Sequence, residues 1–273
     1  MNENNLPALP SQFPTPPVDM VMPELANTIV TIANFSVLVI VAIFFLRTCS
    51  RLKTPLPILF LIGGAIGYLT EPFIDLMVLV WYPEIGTNSF LRLFNVSVPI
   101  WVLAPWSFYM GGQAWWVYKK FSEGMTIETL WKFFPLFWVT NVMIEIPALQ
   151  FDLYTYYGPQ AFKVFGFPLW MGFANACVPI LTGGVVYLLR DYLVGPRIYL
   201  TPLFVPLCAL TAQACVGWPM WFTLNSGASE TATMIATIPA LGFACLLISV
   251  IGYAACVPSV KSAKTASTDA STV

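Results

Sequence analysis

Residues 26–47 read ANTIVTIANFSVLVIVAIFFLR, an apolar run whose first charge is Arg47 at its very end. Crossing a hydrocarbon layer of about 30 Å takes about 20 mostly apolar residues at ~1.5 Å of rise each, and this run is long enough. Six further stretches of the same character follow, at 55–82, 98–118, 127–150, 166–189, 199–223 and 233–256. The expectation is an all-α membrane protein, a bundle of seven transmembrane helices occupying 26–256. Residues 1–25, with Pro7, Pro10, Pro14, Pro16 and Pro17, read as an extended, weakly ordered tail. They lack a basic segment ahead of an apolar core, so no cleavable signal peptide is expected. Residues 257–273, rich in Ser, Ala and Thr, read as a second disordered tail.

Composition supports the same class. The 273 residues are 58% hydrophobic and 9% charged, where a soluble domain carries about 25% charged residues. Mean hydropathy is +0.76. The net charge of −1 and the absence of a basic cluster give no footing for nucleic acid as a partner. There is no histidine, which removes the commonest transition-metal ligand and the usual proton carrier near neutral pH. Cys49, Cys177, Cys208, Cys215, Cys245 and Cys256 lie in or beside apolar stretches without a C-x-x-C pair. They read as small buried side chains, so neither a disulfide framework nor a metal site is expected.

Orientation follows from lysine and arginine, which accumulate in cytoplasmic loops. Arg47, Arg51, Lys53, Lys119, Lys120, Lys132, Arg190, Arg197, Lys261 and Lys264 fall on one side, and only Arg92 and Lys163 on the other. That bias of 10 to 2 fits an odd number of spans, with the N-terminus outside and the C-terminus cytoplasmic. The membrane would be the plasma membrane in a bacterium and an endomembrane in a eukaryote.

The residues that should not be in lipid point to a site. A carboxylate inside a bilayer costs about 2.5–3.5 kcal/mol even on a lenient scale, so it normally faces the bundle interior. Glu71 and Asp75 lie in the second stretch and Glu145 in the fourth. Glu71 is 16 residues beyond Pro55, and Glu145 is 15 beyond Leu130. At ~1.5 Å per residue the two glutamates reach similar depth. Asp75 is one turn above Glu71, and Asn141 one turn below Glu145. Pro72 and Pro147 adjoin these acids and should interrupt both helices, freeing the carbonyls of Tyr68 and Met143. With no intramembrane Lys or Arg to pair with them, at least one acid is expected to carry a proton at neutral pH. Such an acid is a potential proton donor. The plainer alternative is that these groups hydrogen-bond helices to one another.

Aromatic residues make up 15% of the chain. Trp81, Tyr82 and Trp170 suit an interfacial belt. Trp106, Tyr109, Gln113 and Trp116 share one face of the third stretch at helical spacing, as do Gln213, Gly217 and Trp221 in the sixth; Trp138 lies near Asn141. Such stripes are usually packing; the functional alternative is a cavity whose π faces stabilise a carbocation. Gly63 and Gly67 form a small-xxx-small pattern for close helix packing.

Two receptor classes do not fit. Residues 233–256 hold no lysine for a retinal, and neither a Glu/Asp-Arg-Tyr after the third span nor an Asn-Pro-x-x-Tyr in the seventh is present. Glu145-Ile-Pro-Ala-Leu-Gln-Phe-Asp-Leu-Tyr-Thr-Tyr-Tyr-Gly158, followed by Gly166-Phe-Pro-Leu-Trp170, resembles a pattern in small multi-span bacterial proteins of unassigned function. It also resembles the acid, Tyr-x-Tyr and Gly-x-Pro-Leu arrangement of membrane carotenoid hydratases. Size, span number and an acid in span two are similar to small seven-span terpene cyclases of meroterpenoid pathways. That likeness implies membrane carboxylic acids that protonate an isoprenoid epoxide or alkene. The chain departs from it in having no acid within span seven, since Glu230 only precedes it.

The expected function is therefore proton donation to a lipophilic, isoprenoid substrate. Glu71 or Glu145 would be the donor, and Asp75 and Asn141 would set its protonation. Trp106, Tyr109, Gln113, Trp138, Gln213 and Trp221 would line the pocket. There is no phosphate loop and no Asp-rich diphosphate motif, and no cofactor or metal is required. The partners are the lipophilic substrate and membrane lipid. A proton-coupled carrier and a non-catalytic lipid-binding or assembly subunit are the alternatives.

Overall fold

The computed structural model describes residues 13–87 and 89–256, so residues 1–12 of the first tail and all of the second lie outside the described residues. Helix α1 (Glu24–Leu52) starts after Pro23 and stops where Lys53 turns left-handed (φ 52°), its N–H closing on the Cys49 carbonyl. Only Phe45 and Thr48 of α1 are buried. Helix α2 (Leu56–Gly67) follows, then a 3₁₀ turn (Tyr68–Thr70) and α3 (Glu71–Val78). Pro72 falls in the first turn of α3, where its missing N–H costs nothing, and the Tyr68 carbonyl is taken by the Glu71 N–H. The second apolar stretch thus changes helix type just before Pro72, but the Tyr68 carbonyl is not left free as expected.

Strands β1 (Val80–Trp81), β2 (Ser89–Leu93) and β3 (Val96–Pro99) come next. A 3₁₀ turn (Ile100–Val102), α4 (Leu103–Pro105), a π-helical segment (Trp106–Gly111) and α5 (Gly112–Ser122) then run in direct succession. Helix α6 (Ile127–Gln150), strands β4 (Thr155–Tyr156), β5 (Lys163–Val164) and β6 (Phe167–Pro168), and helices α7 (Leu169–Leu188), α8 (Thr201–Leu224) and α9 (Glu230–Cys256) complete the described chain.

Among the described residues, six helices are long and apolar enough to cross a membrane, not the seven expected. The difference is the third stretch. Its first residues, 98–99, belong to β3, and Ile100–Ser122 is helical in short pieces because Pro105 lacks an N–H and a π turn follows it directly. Conversely α6 runs unbroken through Pro135 and Pro147, so the break predicted beside Glu145 is absent. Nor is the fold purely helical: β1 pairs with β4, β2 with β3 and β5 with β6, all antiparallel.

Helix α7 is the central element, buried on nearly every side against α5, α6, α8 and α9. Close backbone approaches lock α2 into the bundle. A Cβ on Gly63 would lie 2.5 Å from Val205 of α8, and one on Gly67 would lie 2.6 Å from the Trp106 ring. A Cβ on Gly64 would strike the Trp106 carbonyl, and one on Gly111 the Phe60 carbonyl, so α2 and the π segment touch main chain to main chain.

Candidate functional site

Short ties, from the backbone and from side-chain amides, gather several helix ends at one end of the bundle. The β1–β4 ladder (Val80 opposite Tyr156, Trp81 opposite Thr155) joins the end of α3 to the segment after α6. Asn225, just past α8, donates to the Met77 carbonyl at 2.8 Å, and Met22, just before α1, donates to the Ile85 carbonyl at 2.9 Å. Gln160 is buried and donates to the Val78 carbonyl at 2.6 Å while accepting from Trp170 Nε1 at 3.3 Å.

Beneath these ties lies a cavity of about 80 Å³. Glu71, Asp75, Asn141 and Glu145 all line it, as do Trp106, Tyr109 and Gln213. The four polar residues that depth counting singled out therefore meet in one place. Three of the expected lining residues do not. Trp138 donates to the Leu169 carbonyl at 3.1 Å and packs on Gly172. Trp221 folds back on Gly217 of its own helix. Gln113 donates to Thr140 of α6 at 3.1 Å and faces an apolar groove shared with α1. For Gln113 the cause is the π segment: its wider turn adds one residue, about 100° of rotation, so Gln113 and Trp116 leave the face of Trp106 and Tyr109.

The three carboxyl groups have unlike surroundings. Glu71 accepts from Trp106 Nε1 at 2.8 Å and from the Tyr82 hydroxyl at 3.3 Å. Glu145 accepts from Asn141 Nδ2 at 3.3 Å, from the Tyr156 hydroxyl at 3.3 Å and from the Tyr154 hydroxyl. Asp75 is only 3% exposed, and its Oδ2 is buried without a hydrogen-bond partner among the described residues. Gln213 Oε1 and Trp101 Nε1, also on the cavity wall, are buried and unpartnered in the same way.

No known protein family, curated protein or solved structure matches this chain.

Tyr82, Trp101, Tyr154 and Tyr156 form the cavity's aromatic roof, with Tyr82 and Tyr154 ring centroids 5.1 Å apart and Trp101 6.1 Å from Tyr82. All four are at most 5% exposed. Burial, and after it the nearby Glu145 charge, push the Tyr154 and Tyr156 hydroxyls well above the usual tyrosine range, so both act as donors. Their roles escaped the sequence reading, although Tyr154-x-Tyr156 is the spacing that puts alternate side chains on one side of an extended chain. Tyr109 lines the cavity with its ring, because its hydroxyl is spent on the Phe137 carbonyl at 2.9 Å. Asn175 of α7 was also missed; it lines the cavity at 4% exposure and links Asn141 to Gln213. The signal was an amide in mid-stretch, the same kind that drew attention to Asn141.

Proposed function

We propose that this chain is a membrane-embedded enzyme whose carboxyl groups protonate, and so cyclise or hydrate, the reacting end of a lipophilic isoprenoid substrate. The contrast between Asp75 and Glu145 on one cavity wall carries the reading. A buried carboxylate without donors is costly, so the site accommodates Asp75 as its neutral acid. Glu145 takes three donors, which suit a carboxylate. Carboxyl groups held in unlike environments divide into an acid and a base.

Asp75 then gives its proton to the substrate alkene or epoxide, and Glu145 collects the proton released at the end, from the carbocation itself on cyclisation or from the water that captures it on hydration. Glu71, held by Trp106 and Tyr82, lies beside the developing positive charge. The rings of Trp101, Trp106 and Tyr109 add their π faces. The donor role thus moves from Glu71 or Glu145 to Asp75, and no cofactor enters the scheme. General acid catalysis of this kind contributes about 10² to 10⁴-fold.

The same reading counts Ile100–Ser122 as the third of seven membrane passages, with the N-terminus outside and the C-terminus cytoplasmic. Arg47, Arg51 and Lys53 end α1, Lys119 and Lys120 end α5, Lys132 opens α6, and Arg190 and Arg197 lie between α7 and α8. These are the ends remote from the aromatic roof, so the positive-inside bias turns the roof outward.

One observation favours a second reading, a proton-coupled carrier of a small solute. About 80 Å³ is far below the about 300–1,000 Å³ of a pocket for a drug-sized ligand. The first reading therefore requires the roof to open or the substrate to enter by its end alone. The deciding test is mass spectrometry of lipid extracts from an isoprenoid-rich host expressing wild type, Asp75→Asn or Glu145→Gln at matched levels. A new cyclised or hydrated product that both variants lose supports the enzyme. An unchanged lipid profile across several supplied isoprenoids sinks it and leaves proton flux in proteoliposomes as the measurement for the carrier.

A further inference from the structure

Three buried amides on three helices form a single hydrogen-bonded chain into Glu145. Gln213 Nε2 of α8 donates to Asn175 Oδ1 of α7 at 2.6 Å, and Asn175 Nδ2 donates to Asn141 Oδ1 of α6 at 3.2 Å. Asn141 Nδ2 in turn donates to Glu145 Oε1 at 3.3 Å. The three amides are 1%, 4% and 3% exposed. Every donor points the same way, toward the carboxylate, and the far end of the chain is the unpartnered Gln213 Oε1.

We infer that this chain is a polarity relay: proton uptake by Glu145 reverses all three amides and changes what Gln213 presents to the cavity. The inference rests on the reading of Glu145 as the proton acceptor. With Glu145 anionic, the observed direction gives the carboxylate a donor and leaves Gln213 Oε1, an acceptor, at the open end. Once Glu145 carries a proton, its hydroxyl needs an acceptor, and Asn141 supplies one only by turning its amide over. Asn141 Nδ2 then donates to Asn175 Oδ1, and Asn175 Nδ2 to Gln213 Oε1, so the orphaned oxygen gains its donor. Gln213 Nε2 is left facing the cavity as a donor. No bond between heavy atoms forms or breaks; three side-chain amides rotate.

The relay gives the site a memory of its own proton. It offers an acceptor at Gln213 while Glu145 is ready to act as base, and a donor after Glu145 has done so. A substrate hydroxyl, epoxide oxygen or bound water at Gln213 is then held differently in the two halves of the cycle. The other titratable groups facing the same space are Glu71 and Asp75 from α3, Tyr82 beyond β1, Tyr109 from the π segment, and Tyr154 and Tyr156 from the roof. An amide suits each of the three positions, since it carries both a donor and an acceptor that exchange places when it turns over.

The test is NMR of the full chain in lipid bilayers, with ¹⁵N in Asn and Gln side chains and ¹³C in Glu carboxyl groups, across about pH 3 to 9, a range spanning the ordinary carboxyl values and beyond. The expected result is a Gln213 side-chain ¹⁵N shift that follows the Glu145 carboxyl carbon with the same midpoint. Asn175→Leu should leave the Glu145 titration in place and hold the Gln213 signal constant. Glu145→Gln, which alters no packing volume, should hold it constant too. A Gln213 signal that ignores Glu145 in the wild type, or keeps its full shift in either variant, overturns the relay while leaving Glu145 as base. A Glu145 carboxyl carbon that does not titrate at all overturns the base assignment and the relay with it.

Discussion

Tyr82 and Tyr154 lie against each other with ring centroids 5.1 Å apart, and each gives its hydroxyl to a different glutamate, Tyr82 to Glu71 and Tyr154 to Glu145. The pairing follows from the β1–β4 register, because Val80 opposite Tyr156 and Trp81 opposite Thr155 put 82 opposite 154 one step further along. Two backbone pairs thus set the roof over two carboxylates.

Removing only the hydroxyls separates the polar contribution of this pair from its packing. Tyr154→Phe keeps the ring contacts and is expected to cost about 2 kcal/mol, the range of a hydrogen bond to a charged group. Tyr82→Phe is expected to cost less, about 1 kcal/mol, because its hydroxyl reaches Glu71 only at 3.3 Å and Trp106 holds the same carboxyl group at 2.8 Å. Thermal unfolding in detergent, compared between the two variants, checks the order; equal losses would count against it.

Glycine positions at the α2–π contact give a second measurement. Gly64→Ala and Gly111→Ala each drive a methyl group into a main-chain oxygen, which cannot swing aside as a side-chain tip can. The expected loss is about 3 kcal/mol for each, the upper part of the usual overpacking range. Gly242→Ala in α9 meets nothing within 4 Å and should be neutral or gain up to about 1 kcal/mol from helix propensity. Folded yield by fluorescence size-exclusion chromatography reads all three. If Gly64→Ala behaves like Gly242→Ala, the close approach of α2 to the π segment is wrong.

How much of this could be read from the sequence depends on the element. Glu71, Asp75, Asn141 and Glu145 were legible because a helix converts residue count into height linearly, so two acids 16 and 15 residues into parallel runs reach the same level. Gln113 was misplaced because a π turn leaves no periodic trace and shifts everything after it by one residue. Tyr82, Tyr154 and Tyr156 were not legible as partners of the acids, because a ladder of two residue pairs is too short to show a strand alternation. The hairpin turns at Phe94–Asn95 and Phe165–Gly166, with φ between 51° and 85°, lie between the apolar stretches or at the edge of one, where the sequence reading placed no strands.

Orientation has its own test. The β2–β3 turn lies at the roof end, while the α5–α6 connection at Glu123 and Gly124 lies at the opposite end. In a background without the six native cysteines, Asn95→Cys is expected to react with a membrane-impermeant maleimide on intact cells. Glu123→Cys should react only after the membrane is opened. The reverse pattern would invert the topology, and labelling of both sites on intact cells would mean an even number of passages between them or a leaky preparation, which a cytosolic control distinguishes.

The division of labour between Asp75 and Glu145 predicts which limb of a pH profile each controls. An acid must hold its proton to act, so activity should fall at high pH as Asp75 ionises. A base must lack one, so activity should fall at low pH as Glu145 is protonated. The product-forming rate in membranes is therefore expected to be bell-shaped in pH. Asp75→Asn cannot donate and should lose about 10² to 10⁴-fold, the usual worth of a general acid, at every pH. Asp75→Glu keeps the proton but reaches further into a cavity of about 80 Å³, so it should retain partial activity with a displaced alkaline limb. Glu145→Gln should abolish the acid limb along with most of the rate, while Glu145→Asp should keep the limb and lose rate, because its shorter reach strains the contacts with Tyr154 and Tyr156. If Asp75→Glu displaces the acid limb instead, the two roles are exchanged and Glu145 is the donor.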